Sequence, residues 1–406
     1  MTSALAHGFR IAFSRRWLQV AAVAMFINTS YGTLSYAFSI YVTRSGPGGE
    51  FGVGTVSAGF GIALLVSGVV GIFAGTIADV LGTRRLMAGG AVLGCAGLGL
   101  LAAAQEGWQF ILVLAVVLGP AMAATFYEPV YVLMNRWFDA EARPRAYGVL
   151  TLLSGFSITM FTPLTRWLVD AYGWREAMVT NGLILLAVGL IVPAIVREPM
   201  EGAPSGPRLT PRRFLGEARD GIRRADAVFW TFTLAFFAAT TAFSGFSFHM
   251  IAQLETRGFD ETAVANSIAL TGIISLPARL VLPMLSGKFS SPALLASCLG
   301  LLGVAAWLAS VAGAWWQVWV YIGVFGAVFG AVYPLRALVT SERFAGPYFG
   351  RIIGLQSLFV AGARATGPIL VGLVGTSQAG YELGFRIAAA ALVVTGFLTW
   401  WSVRRR

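Results

Sequence analysis

Residues 75–85 read GTIADVLGTRR, and this stretch decides the fold. An apolar run, 54–78, leads into it, and a second apolar run, 86–104, follows it. Each run is long enough to cross a bilayer as a helix, which takes about 20 residues. Glycines between the runs permit a tight turn, and the arginines at its end favour the cytoplasmic side of a membrane. The stretch therefore predicts two antiparallel spanning helices joined by a short basic turn.

The composition of the whole chain agrees with a membrane protein. Of the 406 residues, 57% are hydrophobic and only 12% are charged, whereas about a quarter of a soluble domain is charged. Cys95 and Cys298 lie in apolar stretches and form neither a disulfide framework nor a metal-ligand spacing, so we expect no cofactor and no metal. The net charge of +11 does not indicate nucleic-acid binding, because the basic residues are scattered between apolar runs.

Hydropathy predicts twelve spans and their orientation. The first span is too long for a signal-peptide core, so we keep it as a helix. With the N-terminus inside, the cytoplasmic segments hold 21 basic residues and the outer loops hold 4, which places both termini in the cytoplasm. The predicted spans are 17–41, 54–78, 86–104, 108–135, 146–171, 175–196, 227–254, 261–286, 291–312, 315–340, 352–377 and 381–402.

The two halves of the chain repeat in one register. The polar stretch 197–226 separates an N-terminal six-span bundle, 1–196, from a C-terminal six-span bundle, 227–406. A shift of 206 residues lays GIALLVSGVVGIF at 61–73 over SIALTGIISLPAR at 267–279. The same shift pairs Tyr127 with Tyr333 and Gly148 with Gly354. A single register across separated segments indicates a duplication, with a central cavity between two similar bundles.

This organisation resembles the major facilitator superfamily, over nearly the whole chain. Six plus six spans, a long central cytoplasmic loop and the stretch after span two carry the resemblance. The sequence departs from the family's loop signature at Val80 and Thr83, where basic residues are usual. The resemblance implies an all-α membrane fold with two pseudo-symmetric six-helix bundles. It also implies a loop that latches the cytoplasmic side and gates alternating access, through Gly75, Asp79, Gly82, Arg84 and Arg85.

Four arginines are assigned to the predicted spans, while Arg175 and Arg386, near the outer ends of spans six and twelve, are counted with the outer loops. Each midplane charge costs about 3 kcal/mol on insertion scales. Arg166 is four residues before Asp170, which predicts a structural pair on one helix face. Arg336 is one turn from the cytoplasmic end of span ten, where it can snorkel to water, and a structural role is expected for it too. Arg279 and Arg364 are deeper, in spans eight and eleven, and we expect them to form a cationic clamp for an anion. The alternative is that backbone carbonyls or Glu128 hold these guanidinium groups.

A subgroup of the superfamily has basic residues in the same places. The chain resembles oxalate–formate antiporters and monocarboxylate transporters, which keep a basic residue in span eight and, in the oxalate–formate type, another in span eleven. Arg279 and Arg364 match these places, although the second cation is Arg where Lys is typical. Ser275 stands where monocarboxylate carriers place an acid, which weakens a proton-coupling role for that pair. The resemblance also implies an aromatic ring around the substrate, here Tyr127, Tyr333 and Tyr31 or Tyr36.

Glu128 and Asn28 complete the candidate site. Glu128 is the only acid far from both ends of a predicted span. It carries a proton if it is free; if it faces Arg279 or Arg364, it balances the charge of the empty site. A structural ion pair is the third interpretation. Asn28 in span one offers a hydrogen bond to substrate, but membrane helices also use such residues to pack against each other.

The sequence favours a secondary carrier over an enzyme. Lys288 lacks the glycine spacing of a phosphate-binding loop, and His249 has no partner histidine. The favoured function is transport of a small mono- or dicarboxylate by alternating access, as anion exchange or proton symport. The alternatives are a proton-driven multidrug or toxic-compound efflux antiporter and a carrier-like sensor or scaffold. The expected partners are the anion, a proton or counter-anion, and the lipid of a bacterial-type inner membrane. We expect a monomer.

Overall fold

The computed structural model describes residues 15–42, 46–80, 82–197, 226–344, 349–375 and 377–404. These residues are helical almost throughout, and none of them belongs to a strand. The α-helices are Arg15–Tyr31, Phe38–Tyr41, Pro47–Glu50, Val53–Val80, Thr83–Ala102, Gly107–Val113, Gly119–Thr125, Tyr127–Trp137, Arg143–Ser154, Ser157–Tyr172, Trp174–Ile195, Ala227–Thr256, Glu261–Met284, Ser291–Val311, Trp315–Phe329, Val332–Phe344, Phe349–Val374 and Gln378–Arg404. Two π-helical turns, Gly32–Tyr36 and Leu114–Leu118, and one 3₁₀ turn, Leu285–Gly287, continue some of them.

Within the described residues, 11 helices are long and apolar enough to cross a membrane. They correspond to predicted spans two to twelve. Span one falls short of that length because its first helix, Arg15–Tyr31, has 17 residues before it becomes π-helical. The π turn and the helix Phe38–Tyr41 continue the same segment, so the all-helical twelve-span prediction holds.

The chain divides into two compact units. The first unit contains residues 1–222 and 345–358, and the second contains 223–344 and 359–406. The division therefore passes through span eleven, between Leu358 and Phe359. The predicted linker 197–226 lies outside the described residues except at its ends, and the predicted domain boundaries stay a prediction.

Small residues let the helices approach closely inside each unit. In the first unit, a Cβ on Gly90 of span three would lie 2.6 Å from the Cβ of Ala124 in span four. In the second unit, a Cβ on Gly303 of span nine would lie 2.8 Å from the Ala389 carbonyl oxygen in span twelve. Lipid gives helices no hydrophobic reason to associate, so such close van der Waals contact is a main source of bundle stability.

The repeat is visible in the turns. Gly52, just before span two, has φ 89°, and Gly258, which is 206 residues later, has φ 86° before span eight. Only glycine adopts this left-handed region readily. The same conformation at equivalent positions supports the duplication that the sequence predicts.

Ion pairs tie helix ends together at matching places in the two units. In the first unit, Arg175 at the start of span six makes a bidentate pair with Glu50, at 2.7 and 2.8 Å. That guanidinium holds the pKa of Glu50 below its usual value. In the second unit, Arg257 after span seven lies 2.5 Å from Glu382 in span twelve and also donates to the carbonyls of Ser310 and Ala312.

Arg257→Ala is expected to destabilise the protein by about 2 kcal/mol, because it breaks a largely buried ion pair and removes the donor to the Ser310 and Ala312 carbonyls. Glu382 keeps Gln378 and Arg386 as partners. The side chains of Arg257 and Glu382 are only 13% and 20% exposed. Arg166→Ala is the matched control, since its pair with Asp170 is about half exposed and such pairs contribute roughly 0–1 kcal/mol. Thermal unfolding in detergent measures both, and equal shifts for the two variants would contradict the assignment.

Candidate functional site

In the second unit, Arg364 is held against an aromatic side chain. Its Nε donates a hydrogen bond to the Tyr333 hydroxyl oxygen at 3.1 Å. Its guanidinium carbon lies 4.6 Å from the centre of the Tyr333 ring, a cation–π distance. Arg364 is half-buried, in the interior of the helix Phe349–Val374. The positive charge of Arg364 in span eleven therefore faces span ten.

Span ten is broken just before Tyr333. The helix Trp315–Phe329 ends, Gly330 and Ala331 form a turn, and a new helix begins at Val332. Gly330 is required here by packing: a Cβ at this position would lie 2.5 Å from the Ser275 carbonyl oxygen and 2.8 Å from Cγ of Arg279. The break therefore rests directly on span eight.

Arg279 contacts the same break from span eight. Its stem packs on Gly330, and its guanidinium carbon lies 5.8 Å from the centre of the Phe329 ring. The two arginines singled out from the sequence thus contact one short segment, residues 329–333, from spans eight and eleven. This arrangement places two permanent positive charges around a helix interruption inside one unit.

For the other two arginines in spans, the structure confirms one sequence prediction and contradicts the other. Arg166 pairs with Asp170 at 2.8 Å, which confirms the structural pair. The prediction that Arg336 snorkels to water is wrong, because this residue is 2% exposed and its guanidinium lies 5.7 Å from the Phe236 ring. The reason is that the helix continues to Phe344, past the predicted end of span ten at 340, so Arg336 is two turns inside.

In the first unit, a π-helical turn gathers the tyrosines of span one. The turn Gly32–Tyr36 follows Tyr31, and the rings of Tyr31 and Tyr36 lie 6.2 Å apart. A π turn is closed by i→i+5 hydrogen bonds, so residues five apart come to the same side, which an α-helix does not allow. Gly32 lets this turn pack closely against span five, since a Cβ there would overlap the ring of Phe161.

Span four is also broken, directly before Tyr127. Phe126 is extended, with ψ −166°, between the helices Gly119–Thr125 and Tyr127–Trp137. The Tyr127 ring lies 5.1 Å from that of Tyr31, and its hydroxyl is 2.6 Å from Oγ of Ser154. Phe126 stacks on Tyr31 at 4.0 Å. The structure therefore brings Tyr31, Tyr36 and Tyr127 together as one aromatic cluster.

Glu128 lies in the first turn of the helix that starts after this break, and it is half-buried. The free backbone N–H groups of a helix N-terminus favour a negative charge there. This position is a physical reason for an acid within span four that the sequence did not reveal. Its three interpretations, proton carrier, charge partner or structural pair, stay open.

Asn28 ties span one to span five. Its side-chain amide donates to the Leu153 backbone carbonyl at 3.4 Å, and the backbone carbonyl of Asn28 accepts from Ser157 Oγ at 2.5 Å. Asn28 is only 7% exposed. The observed contacts are those of helix packing, and its role as a substrate ligand stays a prediction.

The basic turn after span two is described in part. Gly82 has φ 94°, as a tight turn that needs glycine predicts. Arg84 donates from Nε to the Pro193 carbonyl at 2.6 Å, which caps the last turn of span six. Arg85 is exposed. Gly75 and Asp79 belong to the helix of span two. The Asp79 side chain lies outside what the structure describes.

The sequence analysis did not predict the two breaks or the π turn Gly32–Tyr36, although a proline after each break was a signal. Pro129 and Pro334 are each the third residue of the helix that starts after a break. Proline suits the first turn of a helix, where its missing N–H costs nothing, so each Tyr-x-Pro or Tyr-Pro marks a new helix start. Arg351, assigned from the sequence to a loop, is 6% exposed inside the helix that begins at Phe349.

Interrupted helices at corresponding positions of two repeats, lined by charged and aromatic side chains, are typical of membrane proteins that carry solutes across the bilayer. The family model of the Major Facilitator Superfamily matches residues 11–325, and the chain belongs to this family of membrane transporters, which are not enzymes.

The sequences of curated relatives and the fold of a solved structure agree with this family assignment. The chain is 23% identical to rat monocarboxylate transporter 3 over 86% of the chain and 72% of that protein. It is 26% identical to rat monocarboxylate transporter 13 over 77% and 72%. It spans only 28% of mouse monocarboxylate transporter 14, at 30% identity over 36% of the chain. The crystal structure of the human organic anion transporter MFSD10 (TETRAN) superimposes with TM-score 0.75 at 15% identity, over 95% of this chain and 99% of that one, a likeness of fold alone.

Proposed function

We propose that the protein is a secondary active transporter of a small organic anion, a mono- or dicarboxylate, which Arg364 and Arg279 bind. The observation that carries this proposal is the Arg364–Tyr333 contact, with a hydrogen bond of 3.1 Å at the break of span ten. A guanidinium offers planar pairs of N–H donors that match a carboxylate. The hydrogen bond to Tyr333 fixes the orientation of the planar guanidinium group of Arg364.

The cost of the charges supports an anionic substrate. A charge in mid-membrane costs about 3 kcal/mol on insertion scales, so two arginines around one break need a function that offsets the penalty. A bound carboxylate supplies opposite charge and charge-assisted hydrogen bonds, which are about twice as strong as neutral ones. A cationic drug would be repelled at the same place.

The curated relatives support the same substrate class. Two of them that align over most of the chain are named monocarboxylate transporters. In the first unit, Tyr31, Tyr36 and Tyr127 with Phe126 form an apolar surface with hydroxyl groups at its edge. This aromatic cluster is a second candidate substrate surface, within the first unit. Asn28 is a further polar group of the first unit.

The transport cycle is proposed as alternating access by a monomer with both termini in the cytoplasm of a bacterial-type inner membrane. The turn of Gly75, Asp79, Gly82, Arg84 and Arg85 is the proposed latch of the cytoplasmic side. The capping of span six by Arg84 supports a fixed position for this turn. The driving reaction is either exchange for a second anion or proton symport, and Glu128 is the candidate proton carrier or charge partner.

Uptake into proteoliposomes tests the proposal. The purified protein is expected to transport labelled small carboxylates and not their uncharged amides, because only the carboxylate pairs with the arginines. Stimulation by an internal anion indicates exchange, and stimulation by an inward proton gradient that Glu128→Gln abolishes indicates symport. Proton-driven movement of cationic drugs, without any carboxylate uptake, would favour the multidrug antiporter and overturn the assignment.

A further inference from the structure

An open groove lies on the first unit between spans two, three and four. Its volume is about 300 Å³, and almost all of its wall is apolar. Ile77 of span two, Leu86 and Gly89 of span three, and Pro120 and Ala124 of span four are among its lining residues. In a bilayer, a groove of this kind between spanning helices meets hydrocarbon chains.

One charged side chain, Arg85, lines the same groove. It is exposed, and within the described part of the chain its guanidinium makes no hydrogen bond or ion pair. Its neighbour Arg84 is instead engaged with the end of span six. Arg85 is the third residue of the helix Thr83–Ala102, beside the basic turn, and a cation at the end of a spanning helix is suited to the lipid headgroups.

We propose that this groove binds an anionic phospholipid, with an acyl chain against spans two to four and the phosphate on Arg85. An apolar groove with a cation at one end complements a molecule that has an apolar chain and an anionic head. Basic residues at a membrane surface attract anionic lipid by about 1 kcal/mol each. A zwitterionic lipid gains the same apolar contact but less from the charge.

A lipid in this groove is expected to stabilise the segment of span four that leads into the break. Ala124 lies two residues before Phe126, where span four is broken, and Gly90 packs closely on Ala124 and Thr125. A chain in the groove therefore buttresses the helix segment that leads into the break. This lipid site is independent of the substrate that the carrier moves.

Two glycines of span three make a matched pair of variants. A Cβ at Gly89 meets nothing within 4 Å and Gly89 lines the groove, so Gly89→Leu adds an apolar side chain to the groove without a clash at its Cβ. A Cβ at Gly99 also meets nothing within 4 Å, and Gly99 does not line the groove, so Gly99→Leu is the control. Arg85→Gln removes the cation, and Arg145→Gln removes another exposed arginine.

The experiment measures lipid retained by the detergent-purified full chain after incubation with an equal mixture of phosphatidylglycerol and phosphatidylcholine of identical acyl chains. Native mass spectrometry reports the bound lipid. The wild type is expected to retain phosphatidylglycerol preferentially, and Arg85→Gln is expected to reduce this preference about fivefold. Gly89→Leu is expected to lose bound lipid of both kinds, while Arg145→Gln and Gly99→Leu behave as wild type.

Three results would overturn the proposal. Equal retention of the two lipids by the wild type would mean ordinary boundary lipid. Equal losses in Arg85→Gln and Arg145→Gln would mean a general effect of surface charge. Full retention by Gly89→Leu would place the lipid outside the groove. Because the readout is lipid binding, none of these results depends on whether the protein transports carboxylates.

Discussion

Arg364→Ala reduces carboxylate uptake by roughly a hundredfold, which corresponds to about 3 kcal/mol for a charge-assisted hydrogen bond to substrate. The reason is that the variant removes the charge and the fork that Tyr333 orients through its hydroxyl at 3.1 Å. Initial rates of labelled carboxylate uptake in proteoliposomes measure the effect. Size-exclusion profiles and thermal unfolding of the same samples confirm that the variant is folded.

Two further variants separate charge from geometry. Arg364→Lys keeps the positive charge but loses the planar fork, so its uptake is expected to fall by about tenfold. Arg166→Ala removes a half-exposed guanidinium that pairs with Asp170 and is expected to transport normally. Arg364→Ala with wild-type uptake would exclude this residue from the substrate site, and the anion assignment would then lose its main support.

Gly367→Ala is expected to lower uptake about as strongly as Arg364→Ala and also to reduce stability by about 1–3 kcal/mol, the range for an overpacked core. Gly367 lies one turn after Arg364, where span eleven touches span seven. A Cβ on Gly367 would overlap the Thr241 carbonyl oxygen and Ser244 Oγ, and would lie 2.7 Å from the Gly245 backbone nitrogen. Backbone atoms cannot move aside as a side chain does, so span eleven itself is displaced.

The same helix supplies the control for this prediction. Gly362 lies two residues before Arg364, and a Cβ there would meet only Cε2 of Phe237, at 3.6 Å, an ordinary contact. Gly362→Ala is therefore expected to transport normally, with a stability equal to or up to about 1 kcal/mol above the wild type, because alanine is the better helix former. Equal uptake by Gly362→Ala and Gly367→Ala would contradict the view that contact with span seven positions Arg364.

The twelve-span fold was predictable because the bilayer leaves the backbone few choices. A chain in hydrocarbon must satisfy its own N–H and C=O groups, so each long apolar run is a helix. The turn at Gly82 was predictable from glycine between such runs, and its φ of 94° agrees. Arg279 and Arg364 were singled out because a buried charge is expensive, and the structure brings both to residues 329–333.

The breaks and the π turn were not predicted, because hydropathy does not register them. Residues 108–135 and 315–340 are mostly apolar and carry no charge apart from Glu128 and Arg336, and an average over about 20 residues conceals one extended residue at Phe126. The π turn Gly32–Tyr36 packs against Phe161 of span five at Gly32, a contact that only the packed structure shows. The burial of Arg336 likewise depends on where the helix ends.

Isothermal titration of a small carboxylate, and of its uncharged amide, into the purified protein tests most directly whether Arg364 receives the substrate's charge. Wild type is predicted to bind the carboxylate, and Arg364→Ala to bind it roughly a hundredfold more weakly, the loss of about 3 kcal/mol. The amide is predicted to bind both proteins equally weakly. Carboxylate binding of equal affinity to the wild type and to a folded Arg364→Ala variant would contradict the account.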